Sequence, residues 1–241
     1  MALTEKFSKA KAYLITFLKW GLFGLLMGTW GGLLGAGFHH ALHFVTHLRG
    51  EYNWLIFLLP VGGLLSVGIY TLFRQRSNRG TNEVIDAVLS GGDVSVKVAP
   101  TIFLATALTH LFGGSAGREG AALQIGGSTA TLISRGLRLG SRDRRVLIMS
   151  GMSAVFAGLF GTPLTATLFC MEFVSVGTLF SPALLPCYVS AFTASKVSGL
   201  LGVNAEGLLL ETVTAVTLGN VWKFLILAVL VSLVGILMCW V

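Results

Sequence analysis

Apolar residues run along this chain in long blocks rather than in alternation. Residues 54–73 (WLIFLLPVGGLLSVGIYTLF) carry no charged side chain, and neither do 98–117, 146–171, 173–195 or 224–241. Crossing roughly 30 Å of hydrocarbon takes about 20 residues of α-helix, so each block predicts a membrane span. Segment 12–48 is longer, has Lys19 near its start, and predicts a long tilted helix. Membrane β-barrels need alternating apolar and polar residues, which runs such as FLILAVLVSLVGILM lack. The pattern predicts an all-α integral membrane protein.

Interruptions in the pattern are as informative as the blocks. TNEVIDAVL (81–89) is too short to span and too polar to face lipid; it reads as a short helix capped by Thr81 or Asn82. A second helix is expected from about Arg118–Gly120 to Leu137, directly after a glycine-rich break. GLFGTPLTATLFCMEF (158–173) places glycine and proline inside an apolar run, and SPALLPCY (181–188) carries two prolines, so both predict bent or broken helices. Short or interrupted segments at membrane depth are tolerated only where they are buried in protein or line a cavity, and in transporters they mark substrate sites. Glycines recur at 21–37 and 61–68, a spacing that lets membrane helices approach closely.

Composition agrees with the pattern. The 241 residues are 54% hydrophobic and 11% charged, against about 25% charged in soluble domains. The net charge of +7 needs no nucleic-acid partner, because the basic residues collect in short loops. Lys6, Lys9 and Lys11 precede the first span, and Arg74, Arg76 and Arg79 follow the second. The positive-inside rule puts both groups and the N-terminus in the cytoplasm, and the Arg49–Asn53 link outside. It assigns Arg135, Arg138, Arg142, Arg144 and Arg145 to the cytoplasm as well. The first apolar run exceeds the roughly 7–15 residues of a signal-peptide core and lacks a cleavage site. It predicts an uncleaved helix in a multi-pass protein of the cell (plasma) membrane. Residues 1–241 read as a single membrane domain. The last apolar run stops at Trp240-Val241 without a polar tail, so truncation at the C-terminus is expected.

Other polar residues carry less. Cys170, Cys187 and Cys239 lie in apolar segments without metal spacing and read as packing residues. His39, His43 and His47 recur at i, i+4 and i+8 beside His40; they are read as having nothing acidic or thiolate-bearing nearby, so neither a metal site nor a cofactor is expected. His110 reads as a buried, hydrogen-bonded histidine, and Glu206 and Glu211 as solvated acids. No Ser/His, Cys/His or paired-carboxylate arrangement, P-loop or dinucleotide fingerprint appears, which argues against an enzyme.

GGSAGREGAALQIGGS (113–128) sets Arg118 and Glu119 side by side among small and apolar neighbours. A helix starting there presents unpaired backbone N–H groups and the positive end of its dipole. Flanking glycines let the backbone approach a ligand, which makes an anion site. A carboxylate at that end occupies the site while ionised and leaves it when protonated, so Glu119 is a candidate gate and proton carrier. The alternative is a structural Arg118–Glu119 network, or Glu119 as a helix cap. RGTNEVIDAV (79–88) offers a second candidate anion site at a helix start. Glu172 follows the break at Gly161 and Pro163, either as a further acid or as an interfacial glutamate beyond a proline kink.

GREG followed by ALQIGGS, with GLFGTPL and LFCMEF about forty residues later, resembles the CLC family of chloride channels and anion/proton exchangers. The resemblance extends over nearly the whole chain and covers about half of a CLC subunit. Such subunits contain two inverted halves, each contributing helix N-termini to a central anion pathway, and pair as dimers. The resemblance implies a CLC-like N-terminal half with spanning, tilted and re-entrant helices, plus the first helix of the second half. It implies that Glu119 is the gating, proton-transferring glutamate, with Gly117, Arg118, Gly120 and Ala121 in its motif. Gly80, Thr81 and Asn82 take the place of the family's GSGIP stretch, whose serine coordinates the anion; Phe160, Gly161, Pro163 and Glu172 form a secondary set. GTN at 80–82, Ala121 in place of proline, and FGTP at 160–163 are similar to the fluoride/proton exchanging branch. The inner proton-transfer glutamate of the chloride exchangers falls on Phe173. The implied activity is movement of chloride or fluoride across the bilayer in exchange for protons. The alternatives are a passive chloride channel of the voltage-gated type, and a half-subunit that transports nothing until a partner chain supplies the missing C-terminal half.

Overall fold

The computed structural model describes residues 2–75, 79–174, 177, 180–203, 217 and 219–240, with the backbone alone for residues 2–8. Arg76, Glu206, Glu211 and the Lys6 side chain lie outside the described residues. Every regular element among them is helical. The helices are α1 (Ala2–Glu51), α2 (Leu59–Leu72), α3 (Thr81–Ser90), α4 (Val98–Leu111), α5 (Arg118–Gly136), α6 (Ser141–Phe160), α7 (Pro163–Val174), α8 (Leu184–Leu200) and α9 (Val221–Trp240). Short 3-10 turns, Asn53–Leu58 and Ser181–Ala183, lead into α2 and α8. The chain divides into two compact units, Met1–Glu206 and Gly207–Val241. In the second, α9 is long and apolar enough to cross a membrane.

The first unit is organised around α6. Its residues from Val146 to Leu159 are all buried, as expected of a helix apolar on every side, and α1, α5, α7 and α8 pack around it. Lipid tails are as apolar as leucine, so these helices are held by close packing and interhelical hydrogen bonds rather than by exclusion of water. The α1 glycines supply the closeness on two faces. Methyl groups on Gly24, Gly28 and Gly32 would lie 2.9, 2.5 and 2.7 Å from the Cβ atoms of Val189, Thr193 and Val197 on α8. On the other face, one on Gly31 would lie 2.4 Å from the Ala154 Cβ of α6, and one on Gly35 2.8 Å from the Gly158 carbonyl carbon. Buried serines tie α6 to α8: Ser153 donates to the Cys187 carbonyl at 3.2 Å and Ser190 to the Ser150 carbonyl at 2.9 Å.

Three of the apolar blocks divide differently from their composition, block 173–195 because α7 ends at Val174 and α8 starts only at Leu184. Block 146–171 is two helices, because Gly161 ends α6 in the left-handed conformation (φ 70°) and Pro163 opens α7. Block 98–117 is spanned only as far as Leu111, after which a turn leads to the start of α5. The prolines of SPALLPCY do not break a helix. Pro182 sits in the 3-10 turn and Pro186 in the first turn of α8, where the missing N–H removes no helical bond.

Charge is sorted along the molecule. Lys19 on α1 pairs with Asp143 in the first turn of α6, while Asp93 accepts from Arg135 and Arg144 at 2.9 and 2.8 Å. The early part of α1 and the basic loop therefore share one end. Arg49 and the histidines of α1 lie about 30–45 Å further along the helix, at 1.5 Å per residue.

Candidate functional site

The site forms where two helices start. At Gly80, φ is 63° and ψ is −139°, a conformation open to glycine and strained for residues with a Cβ. This kink turns the chain into α3, and Gly80, not Thr81 or Asn82, is its N-cap. Thr81 and Asn82 are already inside the first turn, so the expected side-chain cap is not made. Glu83 in that turn accepts a hydrogen bond from the Ser95 backbone N–H at 2.9 Å, which anchors α3 to the loop before α4. Gly80→Ala places a methyl in open space but in a forbidden conformation. It is expected to destabilise the protein by about 1–3 kcal/mol, read as a lowered unfolding temperature with anion binding weakened in parallel.

α5 starts against this turn. Its N-cap is Gly117, again without a side-chain cap, and a methyl on Gly120 would lie 3.2 Å from Thr81 Cγ2. The starts of α3 and α5 therefore touch, although 39 residues separate Thr81 from Gly120 in sequence. Each helix start contributes roughly 0.3–1 kcal/mol toward a nearby negative charge, up to about 2 when partly buried. Two starts together favour an anion more than either alone. Glu119 is in the first turn of α5 with its side chain exposed, and its Oε2 folds back to 3.1 Å from the position of a methyl on Gly117. Ala121, by contrast, is 3% exposed and belongs to the core.

The third motif meets the same place through Arg118. Its guanidinium carbon lies 5.5 Å from the centre of the Phe160 ring, at the break where Gly161 and Pro163 separate α6 from α7. α7 also packs on α3. Glu172 is not drawn in. It lies nine residues beyond Pro163, about 13 Å along the helix at 1.5 Å per residue, and accepts a hydrogen bond from the Gly177 N–H at 3.1 Å. It ties the turn after α7.

One residue gained no role from the sequence. Gln124 is 5% exposed and borders a cavity of about 540 Å³ together with Gly80, Tyr70, Thr71 and Gln75. Its Nε2 donates to the Gly120 carbonyl at 3.4 Å, and its Oε1 has no hydrogen-bond partner among the described residues. A buried, unsatisfied amide oxygen costs about 1–3 kcal/mol, so a donor in that cavity would be stabilised. The available signal was a lone large polar side chain among the small and apolar residues of GAALQIGG.

The histidines separate by environment. His40 contacts the Leu201 carbonyl at 2.9 Å, and His47 pairs with Glu51 at 3.7 Å, an acid the spacing argument passed over. His110 is half-buried and bonds the Thr106 carbonyl at 2.9 Å. Cys170 and Cys187 are buried free thiols in the core.

Comparison with known proteins gives a consistent result. Residues 62–241 match the family described as voltage gated chloride channel. A chloride/fluoride channel protein of Pseudomonas syringae pv. tomato is 36% identical over 219 residues, 90% of this chain and 47% of that protein. An H(+)/Cl(-) exchange transporter, ClcA, of Vibrio campbellii is 27% identical, over 88% of this chain and 48% of its own. The chain thus spans about half the length of the curated relatives it matches. The crystal structure of a CLC-type fluoride/proton antiporter superposes with a TM-score of 0.83 at 35% identity, covering 90% of this chain and 55% of the other. A slow cyanobacterial Cl-/H+ antiporter shares the fold, with a TM-score of 0.71 at 22% identity over 89% and 54% of the two chains.

Proposed function

The chain belongs to the voltage gated chloride channel family, and from that premise we propose that it forms half of an anion pathway across the cell membrane. The pathway exchanges a small monovalent anion for protons, and Glu119 is its gate. The observation that carries this reading is the contact of Gly120 with Thr81, which joins two helix starts beside one carboxylate. An anion there trades part of its hydration for backbone N–H groups. The ionised Glu119 carboxylate competes for the same ground, and protonation releases it. Fluoride is the favoured anion, supported by the likeness to the Pseudomonas chloride/fluoride channel protein and to the fluoride/proton antiporter and by GTN, Ala121 and FGTP in this sequence. A passive channel is the second reading, favoured by the likeness to the Pseudomonas chloride/fluoride channel protein.

Glu119 is exposed on the described fold, so the pathway needs a second wall. We read residues 1–241 as the first inverted half with the opening helix of the second, α9, and the remainder as a further set of helices that completes the wall, whether in the same polypeptide or in a partner chain. The unit then pairs as a homodimer, for which Leu184, Tyr188 and Phe192 form an exposed apolar stripe on α8. The N-terminus is cytoplasmic, a reading supported by the positive-inside rule and by the Lys19–Asp143 pair, which joins the early part of α1 to the start of α6 after the basic loop.

Efflux from liposomes, followed with fluoride, chloride and pH electrodes on the complete assembly, tests the proposal. Fluoride efflux accompanied by opposite proton movement is expected. Anion efflux with no proton movement selects the channel, and no flux of either halide overturns both readings.

A further inference from the structure

Three histidines that the gate does not use share a cavity. Its volume is about 380 Å³, and it is lined by His39, Leu42, His43 and Thr46 of α1, His110 of α4 and Arg118 of α5. We propose that it is an acid-loaded binding site for a small monovalent inorganic anion, distinct from the convergence of α3 and α5. This rests on reading the protein as an anion pathway, and it adds a site lined by Arg118 but not by Gly80, Thr81, Gly117 or Gly120.

The chemistry points one way. His39 and His43 are stacked with ring centres 6.4 Å apart and planes 19° from parallel. The carbonyl oxygen of Thr106 can only accept, so the His110 Nδ1, 2.9 Å away, carries a hydrogen and a second proton goes to Nε2. Imidazole is the side chain that changes charge between pH 5 and 8. Three imidazoles beside a guanidinium repel one another once protonated, and an anion among them relieves that repulsion. The Arg49 guanidinium of α1 is engaged elsewhere, against Gly113, 3.0 Å from a methyl built there, and does not line the cavity. The acids nearest in sequence are Glu119, in the next position after Arg118, and Glu51, which pairs with His47. His40 is engaged by Leu201. A cation is disfavoured by Arg118, and among the described residues no group of three or more His, Cys, Asp or Glu is placed to hold a metal. At about 30 Å³ per water, the cavity admits a halide together with part of its hydration shell.

Binding and protonation are reciprocal. An anion that binds the protonated imidazoles therefore binds more tightly as the pH falls. The test uses Glu119→Gln as background, which removes the gate's own titration. Chloride and fluoride binding are measured by calorimetry at pH 8 and pH 5.5, with and without His39→Gln, His43→Gln and His110→Gln together. Affinity in the background protein is expected to rise about tenfold or more on acidification, within the usual range of coupling, with net proton uptake as the anion binds. In the triple substitution both the rise and the uptake vanish. His43→Gln alone, at an exposed position, guards against misfolding of the triple variant and should remove part of the rise. An equal rise with and without the histidines overturns this inference and leaves the proposed function standing. Absence of any halide binding at either pH overturns both.

Discussion

Glu119→Gln stops proton movement while anion flux continues. The amide has nearly the shape of the carboxylate, but it carries no exchangeable charge and does not compete as an anion at the α3 and α5 starts. Proton countertransport in liposomes is expected to fall by at least about tenfold, since positioned proton-transfer groups contribute roughly 10²–10⁴-fold, and the remaining anion efflux becomes insensitive to the proton gradient. A structural role predicts something else. An acid in the first helical turn stabilises the helix by only about 0.3–1 kcal/mol, so the unfolding temperature should hardly move. Glu172→Gln is the matched control. Its carboxylate bonds the Gly177 N–H at the far end of α7, and coupling should be unchanged. Coupled exchange that survives Glu119→Gln at full ratio sinks the gating role.

Gly126→Leu abolishes the folded state, and Gly126→Ala already damages it. The helices α5 and α6 cross at backbone contact: a methyl on Gly126 would lie 2.3 Å from the Gly151 carbonyl oxygen, and one on Gly151 would lie 2.5 Å from the Gly126 oxygen. Backbone cannot rotate away as a side chain can, so α5 must move off α6 and carry Glu119 with it. Overpacking of this kind costs about 1–3 kcal/mol and sometimes more. The alanine variant should melt well below the parent in detergent, and the leucine variant should fail to give a monodisperse protein. Gly37→Ala is the opposite case. It sits inside α1 with nothing within 4 Å of the added methyl, and alanine is favoured in a helix interior by about 0.5–1 kcal/mol. Its melting temperature should stay level or rise. If both glycines tolerate alanine equally, close approach is not what holds α5 in place.

How much of this was readable beforehand follows from the range over which each feature is decided. The apolar blocks, the short helix at Thr81, the helix start at Arg118 and the break at Gly161–Pro163 depend on a few neighbouring residues: run length, backbone freedom at glycine, the missing N–H of proline. Those signals lie in the chain itself, and the elements stand where they point, apart from the apolar blocks that turns divide, the cap of α3 and the prolines of SPALLPCY. The GREG, GTN and FGTP strings, through the resemblance they carry, suggested which segments would meet. What joined them was decided elsewhere. Thr81 meets Gly120, Arg118 meets Phe160, and Asp93 meets Arg135 and Arg144 because α6 is surrounded by helices that can settle only in certain registers once their glycines touch. The same packing sorted the histidines, leaving three at a cavity and turning two aside, and it buried Gln124. Local stereochemistry writes helix beginnings and ends into a sequence. Which beginnings come together is a property of many simultaneous contacts between distant segments, and that is fixed only when the helices pack.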